Sequence, residues 1–417
     1  MQAILAMPDS RSGKSGTNQL LFRDVAGVPL LVRAIATASR AGANEVLLVF
    51  PGVIPCEIVK RLHENAILSA GPRVECISVP GFEPALPLGW QQISSRLQDE
   101  FFWIPWNWVT NKNALVALRP LAYEPASWTV PSRLQRDAVM DSTEFLSPKG
   151  RAEGIAILSE DSIDDAERWL VANSGKPLDG IYTTFNRKLC RPVVRALAHT
   201  AVSPNAVTLA GLLVACLSAY YFSRGSFFLS VIGAFLFFLS GLCDEIDGML
   251  ARIKFSDSAF GTWFEGSVDN LSYLLLFGGI ALGLSRDRGP RELWIGGAIL
   301  VGAVISTAII AWLRKRSTHR ERPNEYLGKM YRMLDEDRGN WISRVSRNIE
   351  FLLKKGVFIH YVVLFSLLGL LPVMMRIAAI AANLTWILAF YFKRRFFRGP
   401  RPAAEAARFQ KPAKVNP

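Results

Sequence analysis

The sequence predicts an N-terminal α/β domain with a mostly parallel sheet, followed by an all-α domain of six transmembrane helices. Three observations carry that expectation. Up to about residue 200, short apolar runs alternate with charged helical stretches; beyond it, the apolar segments reach membrane length. The mean hydropathy is positive, +0.22, although 20% of the 417 residues are charged. A chain of this length accommodates two or three domains.

In the first part, "AILAM", "EVLLVF", "VECISV", "FFWIPWNWV" and "GIAILS" read as buried strands. Between the first two, "VPLLVRAIATASRAGA" places its apolar residues at helical spacing. Strands alternating with helices in this way give a mostly parallel sheet flanked by helices. Residues 80–150 carry the weakest signal, because Pro and Trp interrupt any period.

Six segments then approach the ~20 residues needed to cross a bilayer core: 206–222, 226–243, 260–284, 294–313, 357–375 and 377–392. The third does so only if polar residues 260–270 form its first turns, and a turn around Arg376 separates the last two. The connection 314–356 carries twelve Lys or Arg, and the last span exits through "KRRFFRGPR". The positive-inside rule therefore places that connection and both termini in the cytoplasm of a multi-pass inner or plasma membrane protein. Before the first span, "IYTTFNRKLCRPVVRALAHTAVSPN" mixes basic residues with Phe185, Leu189, Val193, Val194 and Leu197, as suits a helix lying on the membrane surface. The expected organisation is a cytoplasmic domain over 1–175, an interfacial helix over 176–202, the six-span domain over 203–395, and a disordered basic tail over 396–417.

The formal charge of +13 permits a nucleic-acid reading, but membrane topology accounts for it more simply, and no nucleic-acid partner is expected. The five cysteines form no CxxC pair and the four histidines are scattered, so a zinc site is not expected and the thiols are read as reduced. The start "MQAILAMPDSRSG" lacks the basic region and apolar core of a secretory signal.

Against this background "LCDEIDGMLARIKFSDSAFGTWFEGSVDN" stands out, because ionised side chains are normally avoided beside apolar spans. Asp244 and Asp247 are three apart, Glu265 and Asp269 four apart, so each pair shares a helix face. Two antiparallel helices could aim all four carboxylates into one pocket, at the cytoplasmic ends of spans two and three. Anions at that density call for a cation. All-oxygen ligands favour Mg²⁺ or Mn²⁺, ions that act chiefly on phosphates. Gly248, Ala251 and Gly261 leave room for close approach, and Arg252 offers a planar fork suited to phosphate. The blander account has the acids capping helix ends and pairing with Arg252 and Lys254, which leaves the glycines unexplained.

At these residues the chain resembles the CDP-alcohol phosphotransferases, whose signature is D-x2-D-G-x2-A-R-x8-G-x3-D-x3-D. Here it reads Asp244, Asp247, Gly248, Ala251, Arg252, Gly261, then Glu265 where Asp is expected, then Asp269. The likeness extends through "SPNAVT" at 203–208 and the six-span topology. It implies that the four acids bind one or two divalent metals around the pyrophosphate of a CDP-linked donor. It further implies that Asp269 is the general base for the acceptor alcohol, and that Asn205, Thr208, Gly248, Ala251, Arg252, Ser258 and Gly261 lie near the nucleotide. The product would be a phosphodiester, with CMP released. The donor would be CDP-diacylglycerol or CDP-inositol-like, the acceptor an alcohol or phospho-alcohol, and the protein a homodimer in the lipid bilayer. Glu265 departs from the pattern by one methylene, which could alter metal choice, slow the chemistry, or mark an inactive relative.

The front domain resembles a nucleotidyltransferase, as in bifunctional proteins joining inositol-1-phosphate cytidylyltransferase to di-myo-inositol-phosphate-phosphate synthase. "VAGVPLLVRAIATASRAGANEVLLVF" and "KPLDGIYTTFNRKLCRPVVRALAHTAVSPN" carry that resemblance. Its catalytic parts are degenerate. Arg11, Gly13, Lys14 and Gly16 have the wrong spacing for the triphosphate loop, "GKSG" lacks the upstream glycine of a P-loop, and "FFWIPWNWV" offers no metal-binding Asp. A non-catalytic domain that binds a nucleotide, docks a partner or orders the membrane domain is expected. Two other classes remain open: a cation-coupled transporter with intramembrane acids, and a pseudoenzyme scaffold. Metal-dependent CMP release separates the enzyme from both.

Overall fold

A computed structural model describes residues 1–8, 19–69, 71–118, 128–140, 153–175, 180–317 and 355–397. Arg11, Gly13, Lys14, Gly16, most of the basic connection 314–356 and nearly all of the tail lie outside the described residues. The chain divides into two compact units: Met1–Thr208 with Leu242–Glu265, and Leu209–Gly241 with the residues from Gly266 onward.

The first unit is built on a five-stranded sheet. Its strands are β1 (Gln2–Ala6), β4 (Glu45–Phe50), β5 (Arg73–Ser78), β6 (Glu100–Trp103) and β8 (Ser132–Gln135), in the order β5-β4-β1-β6-β8. The first four strands in that order run parallel, and only β8 pairs antiparallel, on β6. Strand parity sorts the side chains. Ala3, Leu5, Val46, Leu48 and Phe102 join one core with the helix Leu30–Arg40, while Ile4, Leu47, Val49, Phe101 and Trp103 join another on the opposite face. Both faces are covered, so β1 and β4 read as continuous apolar runs.

On that second face Trp90 sits at the hub of an aromatic cluster, 5.6 Å from Phe101, 5.8 Å from Trp103 and 5.5 Å from Trp128 between ring centroids. Its indole N–H is satisfied by Pro84 O at 2.8 Å. Interlocked aromatics of this kind need no helical or strand period, which is why residues 80–150 are opaque in the sequence.

Two expected strands differ. "FFWIPWNWV" breaks at Pro105 into β6 and a two-residue strand β7 (Trp108–Val109), because proline has no N–H to give a ladder. "GIAILS" contributes only β9 (Ile155–Ala156), which pairs antiparallel with β7 outside the main sheet. The other small sheet is a hairpin, β2 (Asp24–Val25) on β3 (Val28–Pro29), whose Ala26 and Gly27 both have positive φ, 49° and 75°. That is the geometry of a tight hairpin turn.

A further core of the first unit joins distant parts of the chain. Val25, Leu30 and Val109 pack with Leu170 and Val171 of the helix Asp161–Ala172, with Cys190 and Val194 of the helix Ile181–Ala198, and with Ile246, Met249, Leu250 and Ile253. The α/β sequence and residues 242–254 are thus packed as one body. The helix Ile181–Ala198 has two apolar faces. While Cys190, Val194 and Ala198 are buried, Ile181, Phe185, Leu189 and Val193 form an exposed stripe at intervals of four.

Among the described residues six apolar helices follow: Pro204–Ser223, Phe227–Lys254, Ala259–Arg288, Arg291–Ser317, Lys355–Leu367 and Leu371–Phe397. Five have stretches long and apolar enough to cross a membrane, and Gly356–Leu367 is a shorter apolar helix. Within the second unit the helices meet at small residues. A side chain at Gly279 would strike Ala219 O at 2.5 Å, and one at Gly283 would strike Phe222 O at 2.0 Å. Two glycines four apart let backbones touch where dispersion replaces the hydrophobic effect as the packing force.

The turn between the last two helices is not at Arg376. It lies at Leu368–Leu370, where Gly369 takes φ +64°. Leu370 N–H returns to Phe365 O at 2.8 Å and Gly369 N–H to Ser366 O at 3.1 Å, a Schellman stop. Arg376 lies inside the last helix, 3.3 Å from buried Glu292. Its charge reads as a boundary in the sequence but is matched inside the helix pair.

Candidate active site

The helix Phe227–Lys254 carries Asp244, Asp247, Gly248, Ala251 and Arg252 in about its last three turns. It stops at Phe255, whose φ of +56° is left-handed, with Ser256 N–H returning to Ala251 O at 3.1 Å. A left-handed non-glycine residue costs about 1–2 kcal/mol. Two guanidinium groups over its ring offset that cost, Arg33 at 5.2 Å and Arg40 at 4.6 Å. The chain then reverses, and Ser258 caps the helix Ala259–Arg288 by accepting Gly261 N–H at 2.9 Å.

This reversal brings three acids together. Carboxylate oxygens of Asp244, Asp247 and Glu265 lie within 4.8 Å of one another. Asp247 is buried, and Asp244 and Glu265 are half-buried. The hydroxyl of Thr208 donates to Asp247 Oδ2 at 2.5 Å. Asn205 enters from the same helix Pro204–Ser223: a side chain at Gly261 would press on its Oδ1 at 3.3 Å and on Ser258 Oγ at 3.0 Å. The guanidinium of Arg252 lies over Gly248, where an added methyl would meet Nη1 at 3.4 Å. Asp269 follows one helical turn after Glu265, in the second unit, and is not one of the three grouped acids.

The donor set fits a hard divalent cation: oxygen only, three carboxylates, with repulsion that a cation would relieve. Glu265 still brings its carboxylate into the group despite the extra methylene.

Sequence reasoning missed Arg33 and Arg40, which hold this helix end. Arg33, buried at 2% exposure, donates through Nε and Nη2 to Val25 O at 3.1 and 2.6 Å and through Nη1 to Ile253 O at 3.1 Å. Arg40 Nη1 donates to Arg252 O at 3.0 Å and pairs with Asp257. Arg252 Nε donates to Ser174 O at 2.6 Å, and Lys254 Nζ to Thr200 O at 2.6 Å. Arg187 Nε meets Glu245 Oε2 at 3.0 Å in a largely buried ion pair. Burial lowers the Arg33 guanidinium to about 9, with Glu167 opposing the shift. Burial also lowers Arg40, against the pull of Asp257. The one signal available is that Arg33 and Arg40 are seven apart and so share a helix face.

Residues 201–391 match the CDP-alcohol phosphatidyltransferase family. The chain is 35% identical over 98 residues to the archaetidylinositol phosphate synthase of Methanothermobacter thermautotrophicus, covering 22% of this chain and 49% of that protein. It is 24% identical over 236 residues to the bifunctional IPC transferase and DIPP synthase of Aquifex aeolicus, covering 55% and 48%. An uncharacterised protein of Aquifex aeolicus is 33% identical over 180 residues, covering 42% of this chain and 83% of that one. The chain spans about half the length of the two relatives named for an activity. The second of those matches is longer than 201–391 itself, so it extends beyond the membrane helices. With its apolar helices and its grouped acids both inside the matched stretch, the chain carries a CDP-alcohol phosphatidyltransferase domain over residues 201–391 and belongs to that family.

Proposed function

We propose that the protein is an integral-membrane phosphotransferase. It moves a phospho-alcohol or phosphatidyl group from a CDP-activated donor to an acceptor hydroxyl and releases CMP. The observation that carries this reading is the three-carboxylate group of Asp244, Asp247 and Glu265, set at the family spacing and backed by Thr208.

Asp244, Asp247 and Glu265, with Asp269 assigned by the signature, would hold Mg²⁺ or Mn²⁺. Such an ion supplies charge neutralisation on a bound diphosphate. Thr208 holds the orientation of the buried Asp247 carboxylate through its hydroxyl. Gly248 and Gly261 leave room for the nucleotide beside Asn205, Ala251 and Ser258, and Arg252 presents its fork to phosphate oxygens. Asp269 takes the proton of the acceptor hydroxyl. The acceptor oxygen forms a bond to the phosphorus distal to the cytidine, the bridging P–O bond breaks, and its electron pair leaves on the CMP phosphate. Positioning and charge neutralisation supply most of the catalysis.

The relatives' names favour an inositol-phosphate-type acceptor, with CDP-diacylglycerol or a CDP-inositol-like compound as donor. Positive-inside charge supports cytoplasmic termini, and the exposed stripe from Ile181 to Val193 supports a helix resting on the bilayer surface. The front domain is read as non-catalytic, and the assembly as a homodimer by family resemblance.

The test is CMP release by purified protein with Mg²⁺ or Mn²⁺. Each donor is offered separately with inositol, inositol phosphate, glycerol phosphate and serine. Release with one pair, lost in Asp269→Asn, is expected. Silence across the panel with activity in Glu265→Asp would mean that the glutamate has switched the site off, and silence in both would favour a scaffold.

A further inference from the structure

The first unit holds a cavity of about 330 Å³ that none of the three grouped acids lines. Its walls come from the helix Leu30–Arg40, the stretch Thr110–Asn113, the segment Asn173–Gly175 and the turn that follows Arg252. Four cationic side chains line it, Arg33, Arg40, Lys112 and Arg252, against one carboxylate, Asp257. Cations gathered in a partly desolvated space repel one another and call for anionic company.

The cations are also held in place. Arg33 is fixed by the carbonyls of Val25 and Ile253, Arg40 by Arg252 O and Asp257, and both lie over the Phe255 ring. The opposite wall is tied by Asn111 Nδ2 donating to Asn173 O at 3.2 Å. Rigid donors lose little freedom when a ligand arrives. Lys112 is exposed and has no ion-pair partner among the described residues. Burial lowers both arginines, with Glu167 opposing the shift at Arg33 and Asp257 at Arg40.

We propose that this cavity is a binding site for a phosphate-bearing anion, held chiefly by Arg40 and Lys112. A guanidinium fork and an ammonium are the donors that phosphate oxygens take most strongly. Asn113, Asn173 and Thr37 add amides and a hydroxyl to the lining beside the apolar Leu170, Ile253 and Phe255, which suits a phosphate ester with a small organic moiety. Arg252 forms part of the wall while its guanidinium lies over Gly248, so an occupant is felt at the carboxylate site through one side chain. Anion binding here does not depend on the phosphotransferase reading.

The experiment uses the full chain in phosphatidylcholine nanodiscs with EDTA, which removes divalent ions from the carboxylates. Inorganic phosphate is titrated calorimetrically. Saturable binding is expected, weakened about tenfold by Lys112→Ala and tightened by Asp257→Asn. Arg40→Gln should also weaken it, but that variant disturbs the turn, so the exposed Lys112 carries the decision, with equal melting temperatures as the control. Absence of saturable binding, or binding unchanged by Lys112→Ala, overturns the proposal. Repetition in phosphatidylglycerol nanodiscs separates the sources. Loss of phosphate binding there assigns the site to a lipid headgroup phosphate, and persistence assigns it to a soluble ester; both outcomes keep the anion site.

Discussion

Arg252 Nε donates to the carbonyl oxygen of Ser174 at 2.6 Å, so a signature arginine is oriented by the α/β part of the chain. The contact is to backbone. Ser174→Ala should therefore leave CMP release within about twofold, whereas Arg252→Lys, which loses the planar fork, should lower kcat by about 10²-fold. Steady-state CMP release on both variants checks the pair.

Thr208 is the hydroxyl partner of a buried carboxylate, Asp247. Thr208→Val keeps the shape and removes the donor, and hydrogen bonds to charged groups contribute about 1.5–3 kcal/mol. Thermal melting should show a clear loss for Thr208→Val and near recovery for Thr208→Ser.

Glu265 reaches the acid group with its longer side chain. Shortening it should pull one ligand back. Glu265→Asp is expected to raise the Mn²⁺ concentration for half-maximal activity by about tenfold, equivalent to ~1.4 kcal/mol, and Glu265→Gln by more. A metal titration of CMP release decides, and an unchanged midpoint in both variants would remove Glu265 from the ligand set.

Cys190 is buried with its thiol 3.6 Å from Leu242 O. Burial, then the nearby Glu245 charge, push the thiol up to about 12 from an ordinary 9.0. The folded state therefore binds the proton more tightly than the unfolded chain. Its contribution to stability is complete below pH 9 and is lost as pH rises toward 12. Cys190→Ala should flatten that alkaline loss in a melting series. At pH 8, alkylation followed by mass spectrometry should modify exposed Cys56 and spare Cys190.

Much of this was legible because the residues involved advertise themselves locally. β1 and β4 are apolar runs of strand length, whereas β5, an edge strand, buries none of its residues, and Asp244, Asp247 and Glu265 stand at helical spacing beside a turn. β8, "SRLQ", was not legible: it is an edge strand that buries only Ser132 and Leu134. Arg33 and Arg40 were not legible for a different reason. They bind carbonyls 220 and 212 positions away, and a carbonyl looks the same at every residue. Gly369 and Arg376 show a third case, in which the residue with the louder chemistry was not the one at the turn.

The core that unites Leu170, Val171 and Cys190 with Ile246, Met249 and Ile253 has a consequence for biosynthesis. A ribosome adds ~5–20 residues per second, so residue 253 emerges about 4–16 s after residue 175. During that interval two apolar helices must enter the bilayer while the leading domain waits with part of its interior uncovered. Maturation of the front domain is thereby timed by membrane insertion. A fragment ending at residue 175 should be made but should aggregate, because the side chains that close its core lie on the helix Ile181–Ala198 and at the end of the helix Phe227–Lys254.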